Sequence, residues 1–163
     1  MKELHDNTIK LFDELMQKHR CAMAYCQSWG FNGFKRWHRR RSKKFLCLAI
    51  GIMNDLFDRH WEVAETAISP APYHATDLIN HLEKWAGVLD KALAFLATLN
   101  KKYFDANGTE NRLVKEAIHR LMKDREKARR WHKRFLFTKS EHDMHVLDDK
   151  LYRHEKRREK KER

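Results

Sequence analysis

Seven lysines and arginines lie between residues 35 and 44, and they are the side chains with the clearest potential for binding chemistry. Trp37 and His38 are interleaved with them, and the cations are too many to share one face of a helix. Contacts of such a segment with phosphates would be independent of nucleotide sequence and strongly weakened by salt. An acidic protein is an equally suitable partner. The residues predicted to bind a polyanion or an acidic partner are Lys35, Arg36, Arg39, Arg40, Arg41, Lys43 and Lys44.

Residues that could hold a metal or act as a nucleophile form no recognisable constellation. Among the eleven histidines, His142 and His145 could share a helical face with Glu141, but this spacing is more typical of an ordinary surface cluster. His19 lies at an inward position and is expected to be a hydrogen-bonded core histidine, not a ligand. No glycine-rich phosphate loop, nucleophile elbow or Cys–His pair is apparent. The sequence predicts no enzyme activity, no metal and no cofactor.

Composition indicates one helical domain with a preference for acidic partners. The chain has 163 residues, only five Gly and two Pro, and a formal net charge of +12. Such a charge favours nucleic acid, phosphate, an anionic membrane or an acidic protein. The alternative is a solvated helical surface with i,i+4 ion pairs. Cys21, Cys26 and Cys47 form an odd set without a CxxC spacing, which predicts reduced thiols in a cytoplasmic protein. No signal peptide and no membrane span are expected.

Apolar residues recur at helical spacing over five segments. The predicted helices run from about residue 3 to 28, from 34 to about 60, from 76 to a turn at 105–109, from 110 to about 135, and from about 140 onward. Gly30 suits the C′ position of the first helix, Asn32 the N-cap of the second, and Thr109 the N-cap of the fourth. The uncharged run from Phe45 to Met53 predicts that the second helix is buried on most sides.

A long connection separates the second helix from the third. Residues 61–75 contain Ser69-Pro70-Ala71-Pro72, which favours extended backbone, and their number suits a crossover that runs the length of a bundle. The predicted fold is an all-α four-helix bundle with one long crossover and a short C-terminal fifth helix. The bundle is assigned to residues 1–137, and a C-terminal helix with a mixed-charge tail to residues 138–163.

The turn between the first two helices resembles a motif of bacterial ferritins. Residues 29–37 read Trp-Gly-Phe-Asn-Gly-Phe-Lys-Arg-Trp and are similar to the ferritin pattern G-[FL]-x-G-F-x-x-W. The likeness extends to Ser42, Ala49, Arg59, the long crossover and the sequence His81-Leu82-Glu83-Lys84. It is good over about residues 9–60, fair to residue 100 and poor beyond. The chain looks like a degenerate ferritin-like bundle.

Ferritin chemistry depends on two iron ions held inside the bundle by glutamates and a histidine. Carried over from the matching turn, the resemblance places these ligand positions at Phe12 on the first helix, Phe45 and Leu48 on the second, and Glu83 on the third. A different spacing on the third helix puts Trp85 there instead. The fourth helix aligns too poorly to choose among His119, Asp124 and Glu126. Because large apolar residues do not bind iron, the resemblance implies a lost ferroxidase site.

The resemblance also implies a reversal of charge. Where ferritins carry acidic residues that collect iron, the equivalent positions here are Arg40, Lys43 and Lys44. A surface of that sign repels iron ions and attracts polyanions. The predicted function is that of a structural or assembly subunit, acting by self-association as a homo-oligomer or by docking onto a larger complex. The alternatives are an iron-storage ferritin subunit that relies on partner subunits for oxidation, and a cationic nucleic-acid-binding bundle.

Overall fold

Five α-helices make up almost all of the described chain. A computed structural model describes residues 2–57, 73–138 and 140–163. The helices are α1 (Lys2–Ser28), α2 (Asn32–Phe57), α3 (Leu78–Asn107), α4 (Arg112–Thr138) and α5 (Glu141–Lys161). These ranges contain no strand, so the predicted all-α class and helix order are confirmed. None of the described helices combines the length and the apolar character needed to cross a membrane.

The first four helices pack as two pairs around an apolar core. α1 packs against α2 and α3 against α4, and further contacts join α2 to α4 and α1 to α3. The largest fully buried side chains include Trp37 and Trp85. α2 and α3 begin at the same end of the bundle, where His38 meets His81, as one long crossover between them requires. Residues 61–72 of the predicted crossover segment 61–75 lie outside the described residues, as does Arg59.

The described helix ends show why the helices end and begin where they do. Gly30 (φ 79°) and Gly108 (φ 72°) adopt the left-handed conformation after α1 and α3, which glycine takes at little cost. α4 begins at Arg112, and its N-cap is Asn111 instead of the predicted Thr109. The Asn111 side chain accepts hydrogen bonds from two backbone N–H groups of the first turn, at 3.0 and 3.1 Å. Local turn chemistry thus places the break correctly but does not identify the capping residue.

α5 lies along α2 and caps its N-terminus. The backbone N–H of Phe34 donates to Oδ1 of Asp148 at 2.9 Å, and the N–H of Gly33 donates to the same carboxylate. The cap predicted at Asn32 is therefore supplied by a carboxylate from α5, which is favourable at a helix N-terminus. Leu151 of α5 belongs to the core cluster. At 21 residues α5 is shorter than the other helices, yet it is packed into the same fold.

Gly33 allows the close approach of α5 to α2. A Cβ atom at Gly33 would lie 2.0 Å from the backbone oxygen of Asp148. Replacement of Gly33 by Ala is therefore expected to displace α5 and to lower the free energy of unfolding by about 1–3 kcal/mol or more, as overpacking does. Urea unfolding measures this loss. Gly87→Ala is the matched control, because a Cβ on Gly87 meets nothing within 4 Å, and it is expected to stabilise α3 by about 0.5–1 kcal/mol. Equal stabilities of the two variants would contradict the close packing of α5.

Candidate functional site

The positions that the resemblance assigns to iron ligands are occupied by packed apolar side chains. Phe12 and Phe45 are each 3% exposed, and their rings meet edge to face with centroids 5.6 Å apart. Leu48 is buried one turn further along α2. Glu83 is not brought together with them, since its side chain is 68% exposed. Trp85, two residues later and therefore on the other side of α3, is the residue that lies in the core.

The cationic segment of α2 is paired with acidic residues of α4, of α5 and of the chain end. Arg40 contacts both carboxylate oxygens of the fully buried Glu155, with Nη2 3.0 Å from Oε1. Four further cations form ion pairs: Arg36 and Arg39 with Glu159, Arg41 with Asp124, and Lys44 with Glu162. Lys35 donates a hydrogen bond to Gln27, and Lys43 is exposed. The C-terminal helix of the same chain is thus an acidic partner of this segment, and the binding of a polyanion or of another acidic partner stays a prediction.

The uncharged stretch of α2 is exposed along its outer side. Leu46 and Ile50, one turn apart, are 45% and 51% exposed, and Cys47 between them is also exposed. The inward residues of the same stretch, such as Phe45 and Ala49, are buried. The prediction that this stretch is buried on most sides is therefore wrong. We term Leu46, Cys47 and Ile50 the outer apolar strip.

Three histidines meet in the interior near the end of the bundle at which α2 and α3 begin. His19 of α1, His38 of α2 and His81 of α3 are each at most 2% exposed. Nδ1 of His19 lies 3.2 Å from Nδ1 of His38, and Nε2 of His38 lies 2.8 Å from Nε2 of His81. The hydroxyl group of Tyr73 contacts Nδ1 of His81 and lies 3.3 Å from its backbone oxygen. We term these four residues the histidine chain.

The histidine chain is uncharged. Burial, with a smaller effect of His81, lowers the pKa of His19 to about 3, and burial lowers the pKa of His81 to the same value. Burial and the two neighbouring histidines lower the pKa of His38 well below its usual value. Trp85 packs against the rings of His19 and His38, with centroids 4.5 and 4.6 Å away. Each imidazole therefore has one N–H to donate and one nitrogen that accepts, which satisfies the chain without any charge.

Cys26 brings a thiol to the same place. It lies on α1 seven residues after His19 and is fully buried. Its sulfur and one ring nitrogen each of His38 and His81 lie within 4.8 Å of one another, a group that could hold a metal ion. Burial, with Asp148 as a further cause, raises the pKa of the Cys26 thiol to about 12. In this environment and without a metal, the sulfur is a thiol.

Sequence reasoning found only part of this cluster. The prediction that His19 is a hydrogen-bonded core histidine is confirmed. The prediction that the chain has no Cys–His pair is wrong, because α1, α2 and α3 bring Cys26, His38 and His81 together in space. His38 stands among cations, which hides its inward position. The sequence signal that could have revealed its inward position is helical spacing. His38 falls four residues after Phe34 and seven before Phe45, and both phenylalanines are buried on the inward face of α2.

Of the comparisons with known proteins, the one with solved structures shows the fold. No protein-family model matches the chain, and no curated protein matches it. Among solved structures, an engineered closed form of the Archaeoglobus fulgidus ferritin is similar, with a TM-score of 0.73 and 13% identity over 93% of this chain and 96% of that one. A humanized archaeal ferritin has a TM-score of 0.71 and 14% identity over 93% and 95% of the two chains. The ferritin-like bundle predicted from the sequence is confirmed, and identities this low show the fold alone.

Proposed function

We propose that this chain is a ferritin-family protein without a functional ferroxidase centre, and that it acts as a structural or assembly subunit. The contact between Phe12 and Phe45 carries the proposal. Two phenylalanine rings packed edge to face fill the space that two iron ions would need, and they provide none of the oxygen ligands that iron ions prefer. The burial of Leu48 and the exposure of Glu83 support the same conclusion.

The surface of the bundle then carries the function. The outer apolar strip exposes Leu46 and Ile50 on α2, and Phe137 is almost fully exposed at the end of α4. Exposed apolar patches on a small domain commonly bind another protein. We assign these surfaces to self-association or to docking onto a larger complex. The free state of Cys21, Cys26 and Cys47 suits a cytoplasmic location.

Ferrous iron added to the purified protein in air is expected to be oxidised no faster than in buffer. The reason is that Phe12 and Phe45, at two of the positions that the resemblance assigns to iron ligands, are buried apolar side chains without an oxygen ligand. The absorbance of ferric products against time measures the rate, and a ferritin with an intact di-iron centre is the positive control. A fast phase that saturates at about two iron ions per chain would contradict the proposal. The variant Cys26→Ala shows whether such a phase arises instead at the buried thiol.

Mass in solution separates the proposal from its two alternatives. Light scattering that shows a defined oligomer, with no effect of DNA, supports self-association. A shell that takes up iron after mixing with an active ferritin subunit would favour the iron-storage alternative. A steep salt-dependent mobility shift of random duplex DNA would favour the nucleic-acid alternative. The ion pairs of Arg36, Arg39, Arg40, Arg41 and Lys44 argue against this last outcome.

A further inference from the structure

A thiol and two imidazoles that converge at a buried point form the ligand set of a transition-metal site. We propose that Cys26, His38 and His81 bind one divalent transition-metal ion of the zinc class. The three ligand atoms lie within 4.8 Å of one another, and each residue comes from a different helix of the bundle. One thiolate and two imidazoles suit Zn²⁺ and Co²⁺, whereas the oxygen-rich sets typical of di-iron bundles suit iron.

The contacts of the other ring nitrogens decide which atoms face the ion. Nδ1 of His38 is directed to His19, and Nδ1 of His81 is directed to the hydroxyl group of Tyr73. Metal-binding histidines nearly always donate their second N–H to a hydrogen-bond acceptor, most often a carboxylate, a backbone carbonyl or water, which fixes the tautomer and the orientation of the ring. Here His19 and Tyr73 take the place of that acceptor. The two Nε2 atoms therefore remain for the ion, and they face each other. His19 and Tyr73 act as positioning residues.

The distances require only a small adjustment. The Nε2 atoms of His38 and His81 are 2.8 Å apart. In a tetrahedral zinc site with Zn–N bonds of about 2.0–2.1 Å, two imidazole nitrogens lie about 3.3 Å apart. The two rings must therefore separate by about 0.5 Å as the ion enters between them. The sulfur of Cys26 lies within 4.8 Å of one ring nitrogen of each histidine and must move towards the ion that the two Nε2 atoms hold.

Binding releases one proton for each ion. The thiol of Cys26 loses its proton when the sulfur bonds to the metal. The imidazoles remain neutral, because His38 carries its N–H on Nδ1 and donates it to His19, while His81 donates its Nδ1–H to the oxygen of Tyr73. The Tyr73 hydroxyl group then donates to the backbone oxygen of His81, 3.3 Å away. His19 carries its own N–H on Nε2. The ion and the thiol are thus converted into a metal thiolate and one proton.

The test uses the full-length protein after treatment with a chelator, titrated with Co²⁺ and then with Zn²⁺. A thiolate-to-cobalt charge-transfer band is expected to saturate at one ion per chain and to disappear when Zn²⁺ displaces Co²⁺. Zinc at 100 times its dissociation constant is expected to raise the midpoint of thermal unfolding by about 5–10 °C. Cys26→Ala and His81→Gln are expected to abolish the band. Circular dichroism checks that both variants are folded.

Two matched controls use exposed residues of the same types. Cys47→Ala removes the exposed thiol of α2, and His142→Asn removes an exposed histidine of α5. Both variants are expected to retain the band and the thermal shift. A wild-type protein without the band, or a band that survives Cys26→Ala, would overturn the proposal, as would equal losses in His142→Asn and His81→Gln. Since no readout involves iron oxidation, failure here leaves the proposed function standing, and a fast ferroxidase phase leaves this site standing.

Discussion

A protein in which Glu155 is replaced by alanine is expected to lose about 3–5 kcal/mol of its free energy of unfolding. The reason is the burial of its partner, since Arg40 is 4% exposed and contacts both oxygens of the Glu155 carboxylate. After the replacement, Arg40 retains a contact with Glu162 at 3.6 Å, but this carboxylate is partly exposed. The charge of Arg40 then lies in the interior without its main counter-ion. Urea unfolding, followed by far-ultraviolet circular dichroism, measures the loss.

Two comparisons make this result specific to the buried pair. Replacement of both partners, R40M with E155L, is expected to recover most of the lost stability, because no unpaired charge is then left in the interior. Glu116→Ala removes a pair with Arg120 in which both side chains are partly exposed, and it is expected to cost at most about 1 kcal/mol. If Glu155→Ala cost as little as Glu116→Ala, the attachment of α5 would not depend on the pair.

Acid is expected to destabilise the metal-free protein steeply below about pH 6.5. Burial keeps His19, His38 and His81 neutral in the fold, with pKa values of about 3 for His19 and His81, whereas each takes up a proton near pH 6.5 in the unfolded chain. The unfolded state therefore binds more protons between about pH 6.5 and 3. Their contribution to stability is complete above this window and is lost as the pH falls through it. Each histidine contributes about 1.4 kcal/mol for each pH unit.

The titration of Asp124 changes the stability in the direction opposite to that of the histidines. Burial raises the pKa of Asp124 to about 6, although Arg41 favours its charged form. The folded state therefore binds an extra proton between about pH 6 and 3.8, and this stabilises it as the pH falls. The net slope is smaller than the three histidines alone would give. A variant that removes one histidine is needed to isolate their share.

His19→Gln is expected to reduce the slope of stability against pH by about 1.4 kcal/mol for each pH unit below about pH 6. Urea unfolding at a series of pH values in the presence of a chelator measures the slope. His142→Asn, at an exposed position of α5, is expected to leave the slope as in the wild type. An unchanged slope in His19→Gln would show that His19 is protonated in the folded protein.

Local sequence patterns were sufficient for the described helices and for the breaks after α1 and α3. Gly30 and Gly108 end α1 and α3 in the conformation that glycine favours, and the apolar spacing predicts each helix close to its observed bounds. Both properties depend on residues within a few positions of each other. The caps of α2 and α4 differ from the prediction. For α2 the reason is distance along the chain, since the carboxylate that accepts from Phe34 belongs to Asp148.

The sequence by itself determined the fold class, the ferritin-like turn and the apolar residues at Phe12, Phe45 and Leu48, because these follow from residue type and local spacing. Only the tertiary structure decided which charges remain available and where polar groups meet. Arg40 is 115 residues from Glu155, and His38 is 43 residues from His81. A lysine or arginine looks the same in the sequence whether its side chain is solvated or paired with a carboxylate on a distant helix. The packing of α5 and α4 on α2 creates the ion pairs, and the packing of α1 with α2 and α3 creates the buried Cys–His cluster.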